Sequence, residues 1–395
     1  MTAVDNVLIS GASIAGPALA HWLERHGIRA AVVEKAPALR DGGYAIDLRG
    51  KAINVAERMG ILDAVHERTT QIARISMVDA DGRRKAGIDP GATSSPDRSL
   101  EILRGDLVDL IHKTTTGTEY RFGDTITGLD QTGDGVRATF AEADPQTFDL
   151  VVGADGLHSN VRGIAFGPEA PYRRFLNSYI SIFTIPNHLG LDREVRAHNT
   201  PGRFSAVYHS PRAEGAKGLL LQRIDEESDI DRRPREEQMA YLREAFGDMG
   251  WETGRILDEM EDAPDFYFDS VTQIKMDTWS KGRVTLLGDA GYGPSPMSGQ
   301  GTSLAMVGAY LLAEALAQHD DPATALAAYE TRMRPYAVAN QAIADPGLAF
   351  LAPRTAFGIG ARNLLLKAGP LLSALGRFDT KLLKASEAVD LDAGK

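Results

Sequence analysis

The sequence predicts an α/β chain (α+β overall) in which a parallel sheet flanked by helices carries an inserted, sheet-rich unit and ends in helices. Two observations predict it. At the N-terminus Val7-Leu8-Ile9-Ser10 is a short apolar run ending at Gly11, residues 18–23 have helical spacing and stop at Gly27, and Ala30-Ala31-Val32-Val33 is a second β-type run ending at Glu34. Strand, tight turn, helix and strand make a βαβ unit of the expected length of roughly 30 residues, the opening of a Rossmann-like domain. Farther on, between Tyr172 and Asp277, the texture turns to β-type runs over residues 178–185, 204–208, 218–224 and 266–276, with one helix over Arg235–Phe246.

The remaining elements follow in order. Helical spacing recurs over residues 52–59 and 106–112, and residues 74–88 between them read as a strand pair turning at Asp81-Gly82. Strands are expected near Ile126 and over Val136–Phe140, and Asp149-Leu150-Val151-Val152-Gly153 is a buried strand that returns to the first sheet. Val284-Thr285-Leu286-Leu287 is another, followed by a long apolar helix over residues 302–318. From Ala323 onward the chain is mostly helical, with breaks expected at Pro335, Pro346, Pro353 and Pro370. The apolar run over residues 363–372 is expected to pack across two domains as part of the core; interrupted by Gly369 and Pro370, it is too short to span a bilayer.

Composition narrows the function classes. With 395 residues, 43% hydrophobic and 25% charged, the chain reads as an ordinary globular protein long enough for two domains. A net charge of −11 argues against a general affinity for nucleic acid. The absence of cysteine excludes disulfides, thiolate metal sites and a cysteine nucleophile, and no metal is expected. The N-terminus lacks the basic region and long apolar core of a signal peptide, and no stretch approaches a membrane span, so a cytoplasmic location without stable membrane association is the expectation.

Three motifs carry the chemistry. The first, Gly11-Ala12-Ser13-Ile14-Ala15-Gly16, is a dinucleotide fingerprint whose middle glycine has become Ser13. Gly11 permits the tight turn, Ser13 is small enough for a pyrophosphate to approach, and Gly16 lets helix and strand pack closely. Unpaired amides and the helix dipole favour the anion there. Glu34, 23 positions after Gly11 and followed by Lys35, stands where an acidic side chain accepts from ribose hydroxyls. This motif alone does not separate FAD from NAD.

The second motif runs from Asp149 through Gly153-Ala154-Asp155-Gly156 to Leu157-His158-Ser159-Asn160-Val161-Arg162. It sets Asp155 on a turn beside the pyrophosphate end of the sheet, or, read more plainly, is an Asp-Gly turn with Ser159 and Asn160 capping the next helix. The third is the long run from Leu286 through Gly288-Asp289 to Pro294-Ser295-Pro296-Met297-Ser298-Gly299-Gln300-Gly301. A buried strand delivers Asp289 to its tip as a ribose acceptor. Pro296, Gly299 and Gly301 then form a loop on which a planar ring can lie, and the helix from Thr302 and Ser303 aims its amides at that ring.

In the order and spacing of these motifs the chain resembles, over nearly its whole length, the group A flavoprotein monooxygenases. These are FAD-dependent aromatic hydroxylases that include para-hydroxybenzoate hydroxylase and the tetracycline-inactivating monooxygenases. The resemblance implies that Glu34 binds the adenosine ribose, that Asp155 sits in a motif shared by FAD and the nicotinamide donor, and that Asp289 binds the ribityl or pyrophosphate region. It also implies that Arg104, in Leu103-Arg104-Gly105-Asp106-Leu107, reaches the flavin chain. The sequence departs from the family at Ser13 and after Asp289, where Ala290-Gly291-Tyr292-Gly293 lacks the histidine many relatives carry.

The domains expected on this basis are an FAD-binding domain over residues 1–72, 98–172 and 279–345, a substrate-binding sheet domain over 73–97 and 173–278, and a C-terminal helical region over 346–395. The only other fingerprint-like run, Gly358-Ile359-Gly360-Ala361-Arg362, follows no strand, so NADPH or NADH is expected as a transient donor without a domain of its own. By the same likeness, reduced FAD and molecular oxygen form a C4a-hydroperoxide that gives one oxygen atom to an aromatic or polycyclic small molecule. No side chain is assigned an obligatory catalytic role. Tyr179, His209, Gln222 and Arg223, on expected strands, are the candidates for polar pocket groups. A flavoprotein reductase or epoxidase acting on an isoprenoid, and a flavin-fold binding protein without turnover, are the competing readings.

Overall fold

Val7, Leu8 and Ile9 are fully buried because their strand lies mid-sheet with a partner on each side. The computed structural model describes residues 4–39, 43–88, 99–133, 135–368 and 380–393. With strands numbered in chain order, β1 (Asn6–Ser10) pairs in parallel with β2 (Arg29–Glu34) and β11 (Leu150–Gly153). The sheet continues in parallel to β7 (Glu119–Phe122) on one side and β18 (Val284–Leu286) on the other, with β17 (Ser280–Lys281) antiparallel at the edge. Near-continuous Val, Leu and Ile in β1 and β11 are what a parallel sheet covered on both faces requires. Helix Ala15–Arg25 packs on helix Gly301–Gln318 and so brings the first and third motifs together. Two small sheets flank this layer: β8 (Ile126–Gln131), β9 (Val136–Phe140) and β10 (Gln146–Phe148), and the pair β3 (Ala45–Arg49) with β6 (Ser99–Leu103).

The second large sheet has seven strands in the order β16 (Tyr267–Ile274), β12 (Arg173–Ile185), β15 (Ala216–Arg223), β14 (Arg203–His209), β13 (Glu194–Thr200), β4 (Arg74–Val78) and β5 (Arg84–Ile88). Residues 74–88 join it through the parallel pair β13 and β4. Its two faces have different partners. Tyr179, Phe183, Val207 and Leu220 meet helices Arg235–Phe246 and Thr253–Glu259, whereas Ile180, Phe204, Ala206, Leu221 and Val271 face Met297 and the helix Ala344–Leu351.

The C-terminal helices correct three expectations. Pro335 lies inside helix Pro322–Gln341 and does not break it: the buried side of Leu326, Tyr329, Met333 and Tyr336 outweighs one lost hydrogen bond. Pro346 is the third residue of Ala344–Leu351, where an amide has no intrahelical partner to lose. Pro353 does separate two helices, and Pro370 lies outside the described residues. The run over 363–372 is not a core helix in its described part: Leu366 is buried against the sheet, while Leu364 is 69% exposed. Its helix, Ala356–Lys367, rests on β5 and β13, the side of the sheet away from β16, and uses only one face.

Candidate functional site

The first motif turns where its glycines are sterically obligatory. Gly11 has φ +107°, and a Cβ there would stand 2.5 Å from the Ala154 carbonyl oxygen of the second motif. A Cβ on Gly16 would stand 1.9 Å from the Gly11 carbonyl oxygen. Ile14 and Ala15 are buried at the start of helix Ala15–Arg25, which has no side-chain cap, so its first amides stay open to an anion. Glu34, at the tip of β2, accepts from the Ala12 amide at 2.8 Å and the Ala36 amide at 2.9 Å. A carboxylate has about four acceptor positions, so two such bonds orient it and leave capacity for hydroxyls. Lys35 points into solvent.

In the second motif Asp155 is turned inward. It accepts from the Val161 amide at 3.0 Å and from the hydroxyls of Ser159 and Ser10, and burial raises its carboxyl above the usual range against those bonds. Ser159 caps helix Asn160–Phe166 by accepting from the Arg162 amide. These contacts are those of the helix-capping alternative, although the Asn160 side chain donates instead to the Ile126 carbonyl. Arg162, only 1% exposed, bonds the Ala290 carbonyl at 2.9 Å and Glu169 at 2.6 Å, and so fastens the second motif to the third.

Asp289 stands at the tip of β18 after Gly288, whose φ is +66°. Its residue reaches solvent, yet its carboxyl is raised by the protein surrounding it, opposed by Arg104. Arg104 donates from Nη2 to Ser13 Oγ at 2.8 Å, so the serine at the departing position of the fingerprint receives it, and the Arg104 charge also acts on Asp289 of the third motif. The loop that follows is braced throughout. Ser298 Oγ donates to the Ser295 carbonyl, Gln273 Nε2 to the Pro294 carbonyl, and Gln341 Nε2 to the Tyr292 carbonyl. Gly347 lets the Met297 carbonyl approach to 2.2 Å from where a Cβ would be. Pro296 is exposed, Gly299 has φ +61°, and Gly301 lies next to Asp289 Oδ1. Thr302 and Ser303 are buried, and Ser303 Oγ accepts from the Arg49 amide at 3.1 Å. Tyr292, at the position lacking histidine, is a packing residue: its hydroxyl lies 2.9 Å from that of Tyr329 and its ring 4.4 Å from Trp279.

The second sheet packs against the loop at Met297. Of the four candidate pocket residues only Arg223 lies on the face toward the loop, together with Leu219 and Leu221. Tyr179, Gln222 and His209 share the opposite face: the Tyr179 hydroxyl donates to the Ser228 carbonyl and its ring stacks on Phe268, and a His209 ring nitrogen lies 2.7 Å from the Gly215 carbonyl. The correction is one of parity, since side chains alternate and a shift of one residue exchanges the faces. The groups that do face the loop are Tyr208, Tyr267 and Asp269. Tyr267 is 38% exposed, lies 6.4 Å from Tyr44, and donates to Asp269 Oδ2 at 2.9 Å. Tyr44 itself senses Arg104 and Asp289. These residues escaped the sequence reading because polar residues on both faces of one strand look alike without the register. A separate surface hollow of about 680 Å³, lined by Thr278, Glu330 and Arg334, shares no residue with the motifs.

The residues fit FAD: glycine cradles without room for a Cβ, an open helix N-terminus, an oriented Glu34, and Asp289 within the electrostatic reach of Arg104. A sequence model described as an FAD binding domain matches residues 5–344. A flavin-dependent monooxygenase of Legionella longbeachae serogroup 1 (strain NSW150) is 40% identical over 343 residues, 85% of this chain and 86% of its own. The chain belongs to the FAD-dependent monooxygenases. An uncharacterized protein of Mycobacterium tuberculosis (strain ATCC 25618 / H37Rv) is 46% identical over 345 residues, covering 86% of this monooxygenase and 92% of its own length. The crystal structure of tetracycline destructase Tet(55) matches with a TM-score of 0.86 at 39% identity over 99% of both chains. HpxO of Klebsiella pneumoniae, complexed with FAD and uric acid, matches with a TM-score of 0.74 at 20% identity over 96% of this chain and 97% of its own, and shares the fold. Among the described residues no helix is long and apolar enough to cross a membrane, and no three acidic or histidine side chains are grouped to hold a metal.

Proposed function

We propose that this monooxygenase consumes NADPH or NADH and inserts one atom of molecular oxygen into an aromatic or polycyclic small molecule, a class that includes the tetracyclines. The observation that carries the reading is the set of tyrosines, Tyr208 and Tyr267 on the loop-facing side of the second sheet and Tyr44 beside Tyr267, next to the apolar layer of Phe204 and Leu221 that packs on Met297 of the loop. When bound, FAD would supply hydride acceptance and the reduction of oxygen. The chain does the rest. The first turn of helix Ala15–Arg25 holds the pyrophosphate, Glu34 the adenosine ribose, and Arg104 with Asp289 the chain leading to the ring. Pro296, Gly299 and Gly301 seat the ring, and the amides of Thr302 and Ser303 favour negative charge on it.

The substrate unit is residues 73–97 and 173–278, set over an FAD unit of 1–72, 98–172 and 279–345, with 346–395 as a helical region. Its apolar face keeps water from the reacting oxygen, and the tyrosines orient the substrate ring. The test is a panel of phenols and polycycles, a tetracycline among them, assayed for stimulated NADPH and NADH oxidation with mass analysis of product. A gain of one oxygen atom that requires air is the expected result; product formed without oxygen, or no stimulation by any compound, would reject the proposal.

A further inference from the structure

Asp47 on β3 and Glu101 on β6 stand directly opposite one another in the antiparallel register. Cross-strand neighbours lie about 4.5–5.5 Å apart at Cβ, where like charges repel. The surroundings compensate only one of them. Arg49 pairs with Asp47 at 3.0 Å, whereas Glu101 has no cation within ion-pair distance among the described residues and accepts a short hydrogen bond from Thr70 Oγ1. Burial, and after it the charge of Asp47, pushes the Glu101 carboxyl up to about 7, against Thr70 and Arg49. Tyr208 of β14 also lies within electrostatic reach of it, its own hydroxyl raised by burial and bonded to the Ala45 amide.

This pair touches the cofactor-facing loop. A Cβ on Gly299 would stand 3.3 Å from Asp47 Oδ2 and 3.5 Å from the Arg49 guanidinium. The Arg49 amide donates to Ser303 Oγ, and its Nε donates to Ser99 Oγ at 3.0 Å. We propose that Glu101 is a positioning residue for this loop: it holds a proton beside Asp47, so that the two carboxyls present one negative charge, braced by Arg49, beneath residues 299–303. The inference rests on the reading that FAD lies against that loop. Loss of the proton places a second charge beside an anionic cofactor and frees the loop from its brace. The cofactor-bound protein therefore holds the proton more tightly than the free protein, and FAD affinity, complete on the acid side, falls as pH rises through 7.

The experiment uses the full chain, wild type and the variants Glu101→Gln and Glu101→Ala, stripped of cofactor and then titrated with FAD. In the cofactor-free protein, infrared spectra taken between about pH 6 and about pH 8.5 are expected to lose one carboxylic-acid carbonyl band, missing at both values in Glu101→Gln. The dissociation constant for FAD, from flavin fluorescence, should rise about three- to tenfold over that range in the wild type, stay at the acid-side value in Glu101→Gln, which is neutral at every pH and still accepts from Thr70, and be raised throughout in Glu101→Ala. A wild-type spectrum with no titrating acid band, or a Glu101→Gln protein that keeps the wild-type pH slope, overturns the proposal. If no protein binds FAD near the loop, so that substitutions at Gly299 leave affinity unchanged, the cofactor placement fails while the infrared result still decides where the proton is.

Discussion

At Gly16 the helix and the turn are so close that a single methyl group would land 1.9 Å from a carbonyl oxygen. Neither partner is a flexible side chain, so the helix has to shift, and Gly16→Ala is expected to cost about 1–3 kcal/mol of stability. The same shift moves the amides that hold the pyrophosphate, so purified Gly16→Ala should lose most of its flavin absorbance relative to protein; full flavin content would contradict the cradle. Asp289 makes the opposite prediction. Its carboxyl is desolvated with only Arg104 in partial opposition, a cost the fold bears for its ligand. Asp289→Ala should therefore melt no lower than the wild type when cofactor-free, yet bind FAD at least about tenfold more weakly, the value of a lost charge-assisted hydrogen bond. A variant that melts lower and binds FAD normally would make Asp289 a structural residue.

Among elements, strand parity in the second sheet decides which tyrosines meet substrate. Tyr179 belongs to the face under helices Arg235–Phe246 and Thr253–Glu259, and Tyr267 to the face over the loop. Tyr179→Phe, which removes the bond to Ser228, is expected to cost about 1 kcal/mol in urea unfolding and leave KM unchanged. Tyr267→Phe should raise KM for a stimulating substrate with little effect on unfolding; the reverse pattern would exchange the faces. The same strands mark the limit of what could be read from the sequence. The βαβ opening, β11, β18 and helix Gly301–Gln318 were legible because buried parallel strands and glycine turns have local signatures. Strand β13, Glu194–Thr200, was not, because Glu194, Arg196 and His198 alternate with Val195 and Ala197 in a pattern that polar loops also show. Nor was the β3–β6 pair, whose partners are separated by about fifty residues of other structure, so that Asp47 and Glu101 meet only once register is fixed. Gln273 and Gln341, which brace the loop through backbone carbonyls, have no motif at all.

For the whole molecule, one cluster joins the two large sheets. His158, in the turn after β11, lies 3.3 Å from Asp269 of β16 and 3.1 Å from Glu169, which also holds Arg162. The hydrogen bonds to Asp269 and Glu169 push the His158 imidazole up to about 10. A folded value above the unfolded one means that the charged bridge stabilises fully below about 6.5 and that this contribution is lost as pH rises toward 10. Because the imidazole is half exposed, solvent screening keeps the effect modest and sensitive to salt. The melting temperature should fall between about pH 7 and about pH 10, less steeply in high salt, and His158→Gln should flatten that limb. The consequence reaches the loop-facing side of the second sheet, because Asp269 also receives the Tyr267 hydroxyl. When His158 loses its proton, Asp269 becomes an uncompensated buried charge against the pocket wall, and KM for substrate should rise over the same alkaline range in the wild type and be raised at all pH in His158→Gln. A KM indifferent to pH and to this substitution would mean that the bridge holds the two sheets together without shaping the site between them.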